Sequence, residues 1–240
     1  MTANGNAARF IAAYNTIDSV LRTMYNFRTN ITFTDLIRRC SSLNTVIRVY
    51  EDDLVELARL RNAIIHNKSE TIIAEPNTDV TETLEKIARL ISTPPLAIEI
   101  IRSGAVDIAD GSLMLKDLIV ELSRIRHSSI PIYKGSNLLG VIRWRKFVEV
   151  LGGHVISQGG SIDDFIGKTT VEEFLRSFPC NNHYVVAGEG ITIEQVLGLF
   201  NQNRKLACII ITKDGTPSLR PTGIVTGGDV MDLMKVLENY

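Results

Sequence analysis

The chain has 240 residues, 45% of them hydrophobic, with 26 basic against 27 acidic side chains and a formal net charge of −1. That length accommodates a small helical domain and one further unit, the apolar fraction is that of a folded globular protein, and near-neutrality argues against a protein that grips duplex nucleic acid over a wide surface. No apolar run approaches the roughly 20 residues of a membrane span, and Met1-Thr2-Ala3-Asn4-Gly5-Asn6 has no basic stretch leading into an apolar core, so no membrane segment and no secretory signal are expected.

In chain order, amphipathic helices are predicted over 10–25, from near Thr32, along a long segment ending at His66, and over 81–91. The long segment rests on Ile47, Tyr50, Leu54, Leu57, Arg61 and Ile64, which recur at three- and four-residue steps, the spacing of one helix face. Arg61 thus interrupts an apolar stripe. On an ideal helix Asn62 and His66 lie about one turn apart, whereas Arg61 and His66 diverge by roughly 140°. One copy of the motif makes only a loose site, which a second chain related by symmetry would complete.

Arg61-Asn62-x-x-x-His66 resembles the signature of the HEPN superfamily (higher eukaryotes and prokaryotes nucleotide-binding), and the resemblance spans roughly 6–92. It implies a helical bundle and, since many active members are dimeric, metal-independent ribonucleases, a catalytic role for the motif. His66 would move the proton of the ribose 2′-hydroxyl or of the leaving group, Arg61 would stabilise the charge developing on the phosphate, and Asn62 would hold the imidazole or the phosphate. Single-stranded RNA would be the substrate, and cleavage would leave a 2′,3′-cyclic phosphate. Two plainer readings stand beside this one. Arg61 would pair with a carboxylate at the edge of the core, and His66 would end its helix by interacting with the carboxyl-terminal dipole. Arg38, Arg39, Arg48, Arg59 and Arg61 form either a local cleft for RNA or a solvated basic face.

Ser92-Thr93-Pro94-Pro95 stops the last of these helices, because the residue before a proline is pushed out of helical geometry. Residues 93–96 are read as a linker between a helical domain, 1–92, and two repeats, 97–153 and 154–240. The repeat is internal: Leu113-Met114-Leu115-Lys116-Asp117-Leu118 aligns with Ile191-Thr192-Ile193-Glu194-Gln195-Val196, and the register runs on without a gap through Arg126 on Arg204 to Ser129 on Ala207. After a longer turn at Lys213-Asp214-Gly215-Thr216-Pro217, Gly140-Val141-Ile142 falls on Gly223-Ile224-Val225. Each unit reads strand, helix, strand, turn, strand, helix, with short β-branched runs buried in a small sheet. Ser112 and Gly190 stand at the strand-to-helix entries, and Gly152-Gly153-His154 to Gly159-Gly160 reads as a loose region between the repeats.

Such a tandem resembles a pair of cystathionine-β-synthase-type (CBS) domains. In that family a Thr or Ser ends the last strand, an Asp follows three residues on at the start of the last helix, and the pair binds an adenine nucleotide. Thr226-Gly227-Gly228-Asp229 has the pattern. A hydroxyl and exposed backbone N–H groups at a helix amino terminus favour phosphate, the carboxylate would accept both hydroxyls of a ribose, and the glycines allow close backbone approach. The alternative is an ordinary helix cap. In the first repeat these positions hold Arg143 and Lys146, with Trp144 and Arg145 between, so a ribose-binding carboxylate is absent there. Those cations would face the phosphates of a nucleotide bound by the other repeat, contact RNA with Trp144 as a stacking surface, or form a solvated basic turn beside a buried indole.

Cys40, Cys180 and Cys208 are odd in number and widely separated, which suggests free thiols in a reducing compartment and a cytoplasmic location. His66, His127, His154 and His183 lack metal spacing, so no metal is predicted. The expected fold class is a multidomain α+β protein, an all-α HEPN-like bundle followed by two α/β CBS repeats. The leading expectation is a dimeric endoribonuclease regulated by AMP, ADP or ATP. The rival is a non-enzymatic nucleotide-sensing protein whose helical domain only dimerises or docks a partner.

Overall fold

In the computed structural model, which describes residues 5–28, 30–66, 71–101, 106–124, 128–158, 161–178 and 183–240, the side chains of residues 66, 71, 157 and 158 lie outside the description. Two units are distinct: Met1–Pro95 with Ile193–Gln195 and Lys235–Tyr240, and Leu96–Thr192 with Val196–Met234.

The first unit is helical because its apolar residues keep a helical period. Along α1 (Asn6–Met24) the buried residues are Ala7, Phe10, Ala13, Ile17 and Leu21, steps of three and four. No side chain at Gly5 caps this helix. The Glu75 carboxylate instead accepts from the Ala7 N–H at 2.8 Å. The following helix, α2 (Phe33–Ser41), is capped by Thr32 and α3 (Thr45–Val49) by Asn44.

The long helix expected to run through to His66 is three elements. The chain turns at Tyr50 and restarts as α4 (Glu51–Ile64), whose first turn carries Glu51, Asp52 and Asp53. Three carboxylates at a helix amino terminus favour a start there. At the other end Ile65 leaves helical geometry, with φ −104 and ψ 123, and begins β1 (Ile65–His66), which pairs antiparallel with β2 (Thr71–Ile72). His66 is therefore a strand residue, and the all-α expectation is modified by this short ladder. The closing helix, α5 (Thr78–Ser92), packs Leu84, Ile87, Ala88 and Ile91 into the same core as α1, and Arg9 grips Glu85 through two bonds of 2.9 and 2.7 Å.

The second unit is built on the repeat. Its first copy follows α6 (Ala97–Ile100) and comprises β3 (Ala109–Asp110), α7 (Leu115–Arg124), β4 (Ser129–Lys134), β5 (Asn137–Arg143) and α8 (Trp144–Gln158). After α9 (Ile162–Lys168) and α10 (Val171–Ser177), the second copy is β6 (Tyr184–Gly188), α11 (Ile193–Gln202), β7 (Cys208–Thr212), β8 (Gly223–Thr226) and α12 (Val230–Asn239). Each copy makes a three-stranded sheet in which the first strand is parallel and the third antiparallel to the middle one. Ser129 stands opposite Arg143 as Cys208 stands opposite Thr226, so Ser129 corresponds to Cys208, one residue beyond the Ala207 suggested by the ungapped alignment. The extra residue of the second copy falls between helix and middle strand; Arg126 and His127, in the corresponding stretch of the first, lie outside the described residues.

The helix that leads into each copy covers the sheet of the other. Val171, Phe174 and Leu175 of α10 join the core of the first sheet with Leu115, Leu118, Ile130 and Ile142, and Val171 N–H donates to Leu113 O at 2.9 Å. Reciprocally, Ala97 N–H donates to Ile191 O at 2.9 Å, and a Cβ on Gly223 of β8 would meet Ile98 Cδ1 at 2.8 Å. Gly152, Gly153 and His154, expected in a loose region, are helical in α8, where His154 stacks on Phe165 at 4.3 Å; Gly159 and Gly160 lie outside the described residues.

Candidate functional site

The strand end of the second repeat places a hydroxyl and a carboxylate side by side. Thr226 closes β8 and is buried, Gly227 and Gly228 are exposed, and Asp229 immediately precedes α12. Asp229 Oδ2 accepts from Thr226 N–H at 2.7 Å and from Thr226 Oγ1–H at 2.8 Å, while Asp229 N–H donates back to Thr226 O at 3.0 Å. Both donors converge on one carboxylate oxygen, and the other makes no hydrogen bond among the described residues. A Cβ added at Gly227 would meet nothing within 4 Å, so the backbone here borders open space. The arrangement ties the strand end to the residue before the helix and leaves acceptor capacity on the second carboxylate oxygen.

Cys208 lies under this corner, opposite Thr226 in the ladder. Burial pushes its thiol up to about 12, while the charge of Arg143 acts in the opposite direction.

The first repeat has a different corner. Its strand runs straight into α8, so that Trp144, Arg145 and Lys146 form the first helical turn and not a loop. Lys146 pairs with Glu149 at 2.7 Å along that helix. The indole of Trp144 is 44% exposed and lies against Phe147 with centroids 6.0 Å apart, which corrects the expectation of a buried indole. Arg143 is half-buried and has no ion pair among the described residues. Opposite it, Ser129 is 2% exposed and its hydroxyl has no hydrogen-bond partner among the described residues. The sequence reading missed Ser129, because the one-residue slip in the alignment moved it off the position across from the strand end.

In the helical unit, Arg61 lies on α4 with its guanidinium 5.7 Å from the Tyr14 ring centroid, and Tyr14 in turn stacks on Phe33 at 4.2 Å. Burial pushes the Tyr14 hydroxyl up to about 12, against a smaller lowering by Arg61. Arg61 Nε is buried without a partner among the described residues, and Nη1 donates to Asn62 Oδ1 at 3.4 Å. Among the described residues no carboxylate pairs with Arg61, so the reading that a core-edge acid holds it has no support there. Asn62 is exposed. The helical placement of His66, one turn after Asn62, does not hold, since β1 carries it; its imidazole is outside the described residues. Tyr14, absent from the sequence reading, is an aromatic support of Arg61.

Among the described residues no group of three His, Cys, Asp or Glu could hold a metal ion, and no helix is long and apolar enough to cross a membrane. Cys40 and Cys208 are free and buried, and Cys180 lies outside the described residues.

Residues 171–236, most of the second repeat with its leading helix, match the CBS domain family. With the first copy sharing its strand order and pairing, the part of the chain from Leu96 onward is a mixed α/β region of CBS-like build. Solved structures similar to this chain include the CBS domain of a CBS-domain-containing membrane protein from Sphaerobacter thermophilus, 16% identical over 64% of this chain and 97% of that one with a TM-score of 0.45. Another is the CBS domain of a bacterial CNNM/CorC family Mg2+ transporter in complex with ATP, 20% identical over 64% and 95% with a TM-score of 0.44. A third is CBSX2 in complex with AMP, 16% identical over 60% and 98% with a TM-score of 0.44. No curated protein matches the sequence.

Proposed function

We propose that the chain is an adenine-nucleotide-responsive regulatory protein, with AMP, ADP or ATP held at Thr226-Gly227-Gly228-Asp229 of a CBS pair. The observation that carries this reading is the Thr226–Asp229 corner: a buried hydroxyl, a carboxylate oxygen with spare acceptor capacity and two small exposed residues at the head of a helix. Asp229 would accept the ribose hydroxyls, and Thr226 with the N–H groups at the start of α12 would meet phosphate. Ligand then acts by shifting the population of conformers that bind it better.

Calorimetric titration with AMP, ADP and ATP tests the assignment on the full chain. Asp229→Ala removes both the ribose acceptor and the bonds to Thr226, whereas Asp229→Asn keeps one acceptor oxygen for Thr226 while losing the charge. Binding by the native chain that falls at least about tenfold, some 1.4 kcal/mol, in both variants supports the site. Unchanged binding in Asp229→Asn and Asp229→Ala sinks it.

A second reading makes the helical unit the effector, a HEPN-type, metal-independent endoribonuclease working on single-stranded RNA as a homodimer. Its support is Arg61, a guanidinium set over Tyr14 with a buried, unpartnered Nε and no carboxylate to neutralise it among the described residues. Such a group would stabilise phosphate charge, with His66 as the proton carrier and Asn62 beside it. Cleavage of a labelled RNA in EDTA that is lost in His66→Ala and Arg61→Ala supports it; full activity in His66→Ala overturns it and leaves the regulatory reading standing alone.

A further inference from the structure

We propose that Arg22 is a positioning residue for Arg61: by holding Asp18 in a bidentate pair, it keeps the carboxylate that shares Tyr14 with Arg61 from neutralising that guanidinium, which stays available to an anion. The device lies wholly in the helical unit; that its anion is the scissile phosphate of RNA rests on the nuclease reading above. A cation with a buried nitrogen normally takes a carboxylate partner. Arg61 Nε is buried without a partner among the described residues, its guanidinium lies 5.7 Å from the Tyr14 ring centroid, and its bond to Asn62 is a long one of 3.4 Å. Its own helix offers no acid, because the positions three and four residues away on α4 are Leu57, Ala58, Ile64 and Ile65.

The acid comes from α1, where Tyr14, Asp18 and Arg22 follow one another at four-residue steps and share a face. The charges of Arg61, Asp18 and Arg22 all act on the Tyr14 hydroxyl, which gathers the three around one ring. Asp18 is already engaged: its Oδ2 accepts from Arg22 Nε and its Oδ1 from Arg22 Nη2, both at 2.8 Å. Arg22 is held in turn, since Nη1 donates to Arg28 O at 2.8 Å and Nη2 to Ile31 O at 3.0 Å, and its side chain is largely buried. A fork of two bonds fixes the orientation of a carboxylate as well as its charge, so Asp18 is committed to Arg22 and Arg61 is left with the face of Tyr14. That ring is itself fixed by stacking on Phe33 at 4.2 Å. A guanidinium over an aromatic face keeps its N–H edges for the oxygens of a phosphate.

The plainer role of Arg22 is that of a staple, tying α1 to the chain before α2 through the carbonyls of Arg28 and Ile31. The two roles part when Arg22 is removed. A staple leaves its damage behind whatever stands at position 18, whereas a guard leaves damage that disappears once the charge of Asp18 is also gone.

The test measures cleavage of a labelled single-stranded RNA in EDTA by the full chain, native and as Arg22→Met, Asp18→Asn and Arg22→Met/Asp18→Asn. Beside it, the nitrogen–proton NMR resonance of Arg61 Nε, identified by its loss in Arg61→Lys, is followed during titration with inorganic phosphate. In Arg22→Met the released Asp18 pairs with Arg61, so that cleavage and phosphate affinity both fall by about tenfold or more, the loss expected of a charge-assisted bond, and the resonance moves before any phosphate is added. Adding Asp18→Asn restores both, although the staple is still missing. Should Arg22→Met fail to fold, Arg22→Lys, which holds Asp18 as a point charge and not as a fork, shows a smaller loss that Asp18→Asn reverses. Native cleavage and phosphate affinity in Arg22→Met, or a double variant as impaired as Arg22→Met, overturns the proposal and leaves the nuclease reading to be decided at His66. No cleavage by the native chain, with a phosphate affinity that still falls in Arg22→Met and returns in the double variant, removes the nuclease reading and keeps the guarded cation. Absence of both cleavage and a phosphate response at Arg61 overturns both.

Discussion

The two repeats of the second unit share a ladder and part company at its end. In both, a parallel strand and an antiparallel strand flank a buried middle strand, and a glycine, Gly140 or Gly223, stands at the same place in the final strand. Beyond that the second repeat passes through a turn at Gly227, Gly228 and Asp229 before α12, whereas in the first the equivalent residues already belong to α8. Ser129, Arg143 and Lys146 replace Cys208, Thr226 and Asp229. The scaffold is set by many buried β-branched residues, each contributing modestly, so it tolerates divergence; the chemistry is set by three positions and changes outright when they change.

The exchange of leading helices gives the largest expected effect. Phe174 of α10 is 1% exposed and contacts Phe147 and Phe178 with ring centroids 5.3 Å away in each case. Phe174→Ala should cost about 3–5 kcal/mol in denaturant unfolding, as truncation of a buried aromatic does, even though Phe174 precedes the second repeat in sequence. A cost below about 1 kcal/mol would place α10 outside the first core and undo the exchange.

Gly223 probes the reciprocal contact. A Cβ there would press on Ile98 and Ile101, the side chains that α6 and the residue after it bring to the second sheet. Gly223→Ala should destabilise by about 1–3 kcal/mol, the usual result of overpacking, and shortening the neighbour in a Gly223→Ala/Ile98→Ala pair should recover part of the loss. Additive losses would show that the two positions do not touch.

The comparison also shows where sequence suffices. The helices α1 and α5 and the strand-helix-strand-strand-helix order of both repeats were legible because local period and tertiary burial agree. The break at Tyr50 was not, since Ile47, Tyr50 and Leu54 keep helical spacing across it; the acidic first turn Glu51-Asp52-Asp53 was the overlooked start signal. His66 was assigned to a helix because its strand partner, Thr71, is supplied by chain beyond the motif, and no local period encodes a partner. Gly152 and Gly153 read as a loop by propensity, yet Phe147 and Leu151 pack into the first core on the same helix and hold it through the glycines. Of the two corners, Thr226 and Asp229 were named from the motif of the CBS resemblance, whereas Ser129 needed the strand register.

Alkaline titration sharpens the contrast between Ser129 and its counterpart Cys208. Burial raises the Cys208 thiol from an ordinary 9.0 to about 12. The folded state therefore holds a proton that the unfolded state releases, so the stabilisation is complete below pH 9 and declines as pH rises toward 12. Cys40, raised to about 11 by burial, adds to the same limb from the helical unit. Unfolding measured in denaturant from neutral pH upward should show this loss, and Cys208→Val, which cannot ionise, should flatten it. An identical alkaline slope in Cys208→Val would mean that the thiol titrates as freely folded as unfolded.

The smallest expected effect compares α7 with α11, the paired first helices of the two repeats. Val120 and Gly198 occupy the same position in the alignment; Val120 is 49% exposed, and a Cβ built on Gly198 meets nothing within 4 Å. A glycine within a helix costs roughly 0.5–1 kcal/mol relative to alanine through the backbone freedom it forfeits on folding. Gly198→Ala should therefore stabilise the chain by about that amount in thermal or denaturant unfolding. A destabilised Gly198→Ala would require something to approach that face more closely than a methyl group allows, and its dependence on protein concentration would tell whether that neighbour is a second copy of the chain.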